Sequence, residues 1–425
     1  MSTKKLFVFE FITGGGLNQE SIPSSLFCEG YGMLRTIIQD FKQLKFEIIT
    51  LLDERIALFS EWLEADRITF ISAADNYVQK FTELVQQSKY CFIIAPEFSN
   101  ILYDLTKIVK ANFKNLLSID LEGITLGTSK IRTYEYLKTS GLHAPITYLI
   151  PKDKNDFNTD FIYKKFTEIS RPIVIKPNDG VGAEAIYYFE TESELTSFLE
   201  HSFDALDSQR DYILQEFING EDLSVSLIGT SSIPLILSIN SQKISLNKNR
   251  TAEYMGGATP IKNHDQIIVK IQEVLEKLDL SMFKGYFGVD FILRTDGTIF
   301  IIDINPRLTT SYLGIRNILT INPAQLIYQA QTEGIENIPL IPSYHSQFLR
   351  LELDFKGETK QQGDISNEMI RQIPEMITPL ISLGKSTHYS CLLATKTDNP
   401  DASSNRIVDI IKKLSENGLY VSKSN

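Results

Sequence analysis

Two apolar stretches, residues 288–293 and 299–304, flank a turn at Thr295, Asp296 and Gly297, and each carries a single carboxylate, Asp290 or Asp303. Strand-length apolar runs around an Asp-Gly turn specify a β-hairpin. An unpaired carboxylate in an apolar strand is costly, so a chain that keeps two of them has to fold them around something they bind. Asn305 follows Asp303 by two residues and therefore projects from the same face of an extended segment. Two carboxylates and an amide oxygen are suitable hard ligands for Mg2+ (or Mn2+), which leaves its other positions to water and nucleotide phosphates. Arg307 adds a planar cation fit to neutralise phosphate or carboxylate oxygens. Either aspartate alone reads equally well as a turn residue or half of a structural ion pair. Together with Asn305 and Arg307, the pattern favours a site.

A second signal lies at residues 172–176, an apolar strand ending in Lys176, followed by Gly180 and Gly182. A lysine at the end of a buried strand holds its ammonium in a defined place, and the glycines let the next turn expose N–H groups to an anion. No Gly-Lys-Ser/Thr follows, so this is not a Walker A loop. Residues 179–183 are the candidate lid. Lys130 is a second candidate phosphate contact, although a lysine in the first turn of a helix is ordinarily solvated. In the third segment, strand 212–217 runs into Asn219 and Gly220. Glu216 with the backbone of Phe217 and Ile218 can border an adenine, and Asp222 can reach ribose hydroxyls. Taken by itself, that segment is a β-turn with acidic flanks.

The rest of the chain supplies the frame. Residues 5–10 form an apolar strand entering a glycine turn, and Leu34, Ile37, Ile38 and Phe41 mark one face of a helix near Glu29. Further strands at 46–52 and 90–95 indicate a doubly wound parallel sheet. A helix is expected over 128–140 with Gly141 as its C′ residue, and others over 265–278 and 404–417. With 425 residues the chain exceeds one ordinary core. The division expected is a Rossmann-like domain over 1–118, a two-lobed α+β domain over 119–335, and a mixed α/β region over 336–425 packed on the core. After about residue 340 no motif is legible.

A net charge of −11 argues against a nucleic-acid-binding face. Cys28, Cys91 and Cys391 are scattered and read as buried thiols of a reducing compartment. The first ten residues lack the apolar core of a signal peptide, and no run has membrane-spanning length. The expected setting is cytoplasmic, with small-molecule partners, no nucleic acid and no membrane; a homodimer is compatible with everything read here.

In order and spacing, Lys130, Lys176 with its glycine loop, the segment from Glu216 through Gly220 to Asp222, and Asp290 with Asp303, Asn305 and Arg307 resemble the ATP-grasp superfamily across roughly residues 127–314. The resemblance implies ATP clamped between two lobes, with phosphates on Lys130 and Lys176, adenine at Glu216 to Ile218, ribose at Asp222, and magnesium at Asp290, Asp303 and Asn305. Both acidic ligands are Asp where relatives often carry Glu, a departure that either draws the metals toward the strands or leaves only one of them tightly held. Residues 9–16 and 29–35, with the loop 249–260, resemble the tyramine–glutamate ligases of methanofuran synthesis. That likeness implies substrate contacts at Gly14, Gly15, Glu29, Arg250 and Gly257, although a tight strand-to-helix turn explains Gly14 and Gly15 equally well. The activity it implies is joining the γ-carboxylate of glutamate to tyramine through an acyl phosphate. A ligase for another amino acid or peptide pair, a phosphotransferase without the ligation step, and a non-catalytic ATP sensor are the alternatives.

Overall fold

The computed structural model describes residues 4–153, 156–180, 185–202, 206–246, 252–335, 340–356, 362–382 and 387–422. Five parallel strands form the first sheet, in the order Arg67–Ile71, Glu47–Asp53, Lys5–Glu10, Tyr90–Ile94 and Asn115–Leu116. Its inner strands are continuous apolar runs because helices cover both faces. The helix Ser24–Gln43 buries Leu34, Ile37, Ile38 and Phe41, the face that the sequence spacing selects.

A second sheet is antiparallel, ordered Tyr187–Phe189, Ile173–Pro177, Tyr212–Glu216 and Thr147–Leu149. It has its own core, including Ile162, Ile175, Leu195 and Leu214. Its edge strand begins only at Tyr187, since Ala185 stands in a turn at φ +51°. The helix expected over 128–140 stands at Lys130–Thr139, and a separate helix, Leu121–Thr128, precedes it. Ser129 breaks them: its backbone is extended and its hydroxyl accepts from Arg132 N–H, so it caps the second helix. Gly141 closes that helix at φ +69°.

The third sheet carries the hairpin. Its order is Ile299–Asn305, Gly285–Leu293, Glu221–Gly229, Leu235–Leu246, Ala252–Thr259, Ser346–Phe355 and His388–Ala394, with Leu419–Val421 also paired to Ser346–Phe355. Asp290 lies opposite Asp303 and Gly288 opposite Asn305, and a register shift follows Asp290. That bulge interrupts the ladder beside the two acids, and pairing resumes at Phe291 and Ile301. The last part of the chain, silent in sequence, contributes three strands to this same sheet; Gly256 to Thr259 pair with Leu349 to Ser346.

Candidate active site

A cavity of about 570 Å³ lies between the two antiparallel sheets and brings the separated motifs together. Lys130, Lys176, Gly180, Glu216, Phe217, Ile218, Asp222, Asp290, Asp303, Asn305, Arg307 and Glu29 all line it.

Adjacent strands set Asp290 and Asp303 side by side. Asp290 accepts from Asn305 Nδ2 at 2.9 Å and from Gln242 Nε2 at 2.7 Å. Burial, with the neighbouring Asp303 charge next, pushes its carboxyl up to about 6. Lys130 is not solvated but buried, with Nζ 2.7 Å from Asp303 Oδ2 and 3.0 Å from the Gly180 carbonyl. The break at Ser129 puts Lys130 at the head of its own helix, where it reaches the cavity. Lys176 is buried beside it and lowered to about 8, chiefly by burial, then by the Lys130 charge, with Asp303 and Asp290 opposing.

Hard oxygens crowded this closely suit a divalent cation. Among the described residues no three His, Cys, Asp or Glu side chains converge, so such an ion would rest on two carboxylates and the Asn305 amide turned to present its oxygen. The amide donors now on Asp290 occupy the place where the cation's charge would act.

At the opposite end Asp222 is raised by burial alone, a carboxylate suited to accept from hydroxyl groups. Two details differ from the sequence reading. The Glu216 side chain is engaged by Arg171 and by Ile146 N–H, and Phe217 N–H is given to the Pro172 carbonyl at 2.8 Å. Neither is a free adenine contact here. The half-exposed Phe217 ring, edge-on to Tyr188 at 4.9 Å between centroids, offers an aromatic wall instead.

Arg307 is anchored from the first sheet. Its Nε lies 3.0 Å from both carboxylate oxygens of Glu97, and Nη1 donates to the Leu308 carbonyl at 3.2 Å. Glu29 accepts from Thr310 Oγ1 at 2.9 Å and faces Arg350 Nη1 at 3.6 Å. Sequence reasoning passed over Glu97, Gln242, Thr310 and Arg350. Glu97 could have been found as the acid closing a buried parallel strand, where ligands of such sheets collect.

Gly14, Gly15 and Gly257 do not line the cavity, and sterics explain all three. A Cβ on Gly14 would lie 2.4 Å from the Phe9 ring, one on Gly15 2.6 Å from Ile71, and one on Gly257 1.9 Å from the Ser241 carbonyl. At each, close packing of a neighbouring side chain or carbonyl by itself accounts for glycine. Gly182 and Arg250 lie outside the described residues, as do residues 181–183 of the candidate lid; Asp179, at its start, accepts from Ser99 N–H at 3.2 Å and from Arg210.

An ATP-grasp domain model matches residues 128–311, and a pre ATP-grasp 3 domain model matches 46–124. The tyramine–L-glutamate ligase of Methanocaldococcus fervens is 30% identical over 317 residues, covering 73% of this chain and 89% of that protein. The chain belongs to the ATP-grasp superfamily. It is similar in structure to an ATP-grasp superfamily protein from Archaeoglobus fulgidus (TM-score 0.58, 22% identity, 93% of this chain and 99% of that one). An L-amino acid ligase from Bacillus licheniformis matches at TM-score 0.64 and 14% identity over 100% and 99% of the two chains, a likeness of fold. This ATP-grasp chain is a ligase that forms an amide bond. Among its described residues no helix is long and apolar enough to cross a membrane.

Proposed function

We propose that this ligase joins the γ-carboxylate of L-glutamate to tyramine, giving γ-glutamyltyramine, ADP and phosphate, as a cytoplasmic step of methanofuran-type cofactor synthesis. The observation that carries the reading is the cavity itself, where buried lysines face paired aspartates, and the tyramine–L-glutamate ligase relative, aligned over 73% of this chain, supports it.

In this reading adenine lies against Phe217 and Ile218, with Asp222 accepting from the ribose. Lys130 and Lys176 hold phosphate oxygens. Asp290, Asp303 and Asn305 would hold a divalent ion, which would supply positive charge to the phosphates. A γ-carboxylate oxygen attacks the γ-phosphorus and ADP leaves; Arg307 stabilises the charge on the transferred group. The amine nitrogen then attacks the acyl carbon, phosphate departs, and the nitrogen loses a proton to complete the amide. The ion pair with Asp303 holds Lys130 in place at the phosphate end of the cavity.

An ADP-release assay with glutamate plus tyramine, run against each substrate alone, tests the reading. Release only with both, with γ-glutamyltyramine found by mass spectrometry, is the expected result. Release driven by another acid–amine pair and not by this one would overturn the substrate assignment.

A further inference from the structure

Beyond Arg307, the cavity is walled by Glu29 from the helix Ser24–Gln43, by Tyr254, and by Thr310 and Ser311. Glu29 Oε2 accepts from Thr310, but Oε1 stands 3.6 Å from Arg350 Nη1, past hydrogen-bond reach. Arg350 is itself shared. Its Nη2 lies 3.3 Å from Glu253 Oε2, while Nε lies 3.1 Å from Glu352 Oε1 without the alignment of a hydrogen bond. Glu352 is bound in turn by His388 Nε2 at 3.0 Å and Ser390 Oγ at 2.6 Å. Three carboxylates therefore surround one guanidinium, and Glu29 has no hydrogen-bonded cation among the described residues, Arg307 acting on it only at a distance.

A substrate carboxylate placed here would meet repulsion from groups that already compete for Arg350. A primary ammonium would supply both the missing charge and a donor for Oε1. Burial raises the Glu29 carboxyl, with Arg350 and Thr310 opposing, so a bound cation would also stabilise its ionised form.

We propose that Glu29 recognises the ammonium group of a substrate, and that Arg350, from a strand of the C-terminal part, is the positioning residue that holds the Glu29 carboxylate in the wall. The inference rests on the ligase reading above and adds the chemistry that its substrate end selects. Two sources carry this group: the amine acceptor and the α-ammonium of the amino acid.

The test uses the full chain with MgATP and compares products as ratios. Hydroxylamine, uncharged near neutral pH, traps the acyl phosphate as a hydroxamate without needing an ammonium site; glutarate replaces glutamate without its α-ammonium. For Glu29→Gln, a fall of about tenfold or more in the amide-to-hydroxamate ratio assigns the acceptor. A similar fall in hydroxamate from glutamate relative to glutarate assigns the amino acid. Arg350→Met should shift the same ratio, and Arg350→Lys should restore most of it. Both ratios unchanged in Glu29→Gln, or all products falling together in every variant, would overturn the inference. Wild-type protein that forms no hydroxamate from either acid would instead overturn the ligase reading beneath it.

Discussion

Glu97→Gln separates holding a catalytic arginine from holding the fold. Glu97 and Arg307 are both largely buried, and Glu97 gives both carboxylate oxygens to Arg307 Nε at 3.0 Å. Gln keeps the shape and one acceptor but removes the charge. A hydrogen bond to a charged group contributes about 1.5–3 kcal/mol. If Arg307 stabilises the transferred phosphoryl group only when so aimed, that loss appears in kcat, at roughly ten- to a hundredfold. The control is Asp40→Asn. Asp40 makes an equally buried set of contacts to Arg316 Nε and Nη2 and to Tyr312, joining helices away from the cavity. Steady-state ADP release and thermal unfolding are measured on both variants. Both should unfold at lower temperature, and only Glu97→Gln should lose kcat. Equal kcat in the two variants would refute the positioning role and leave Glu97 as a structural acid.

Three further outcomes follow from the same geometry. Asp303→Asn should abolish turnover with the circular-dichroism spectrum retained, and full activity at ordinary magnesium would remove Asp303 from the metal set. Lys176→Met should weaken ATP binding by roughly ten- to a hundredfold through loss of a charge-assisted contact, read by nucleotide titration; unchanged affinity would end its phosphate role. Gly257→Ala should cost about 1–3 kcal/mol through overpacking against the Ser241 carbonyl, with glutamate and tyramine KM values unaltered. A KM effect without destabilisation would return Gly257 to the substrate site.

The central chemistry was legible in the sequence because it breaks local rules. Asp290, Asp303 and Lys176 interrupt apolar strands, and such exceptions stand out without any knowledge of packing. The parallel sheet was legible for the opposite reason, since strands covered on both faces read as plain apolar runs. The glycines say less: Gly14 and Gly257 read as places of close approach, and in the fold the Phe9 ring and the Ser241 carbonyl stand nearest them. Glycine reports closeness without naming the neighbour. Arg350 and Glu97 escaped notice because their partners are distant in sequence, Glu29 and Arg307 respectively. The helix Leu121–Thr128 went unread beside Lys130–Thr139 because Ser129 separates them by capping, a choice no hydrophobic period records.

The ladder between Ala252–Thr259 and Ser346–Phe355 means that the tail is woven into the catalytic platform rather than appended to it. Cutting the chain near residue 335 would strip the platform of its outer strands and leave unmatched backbone along Ala252–Thr259, so a shortened version should aggregate rather than work slowly. The same weave gives a protein engineer a handle. Arg350 on Ser346–Phe355 stands behind Glu29 of the cavity wall, so that strand is where substrate range could be redrawn without touching the residues proposed to hold ATP.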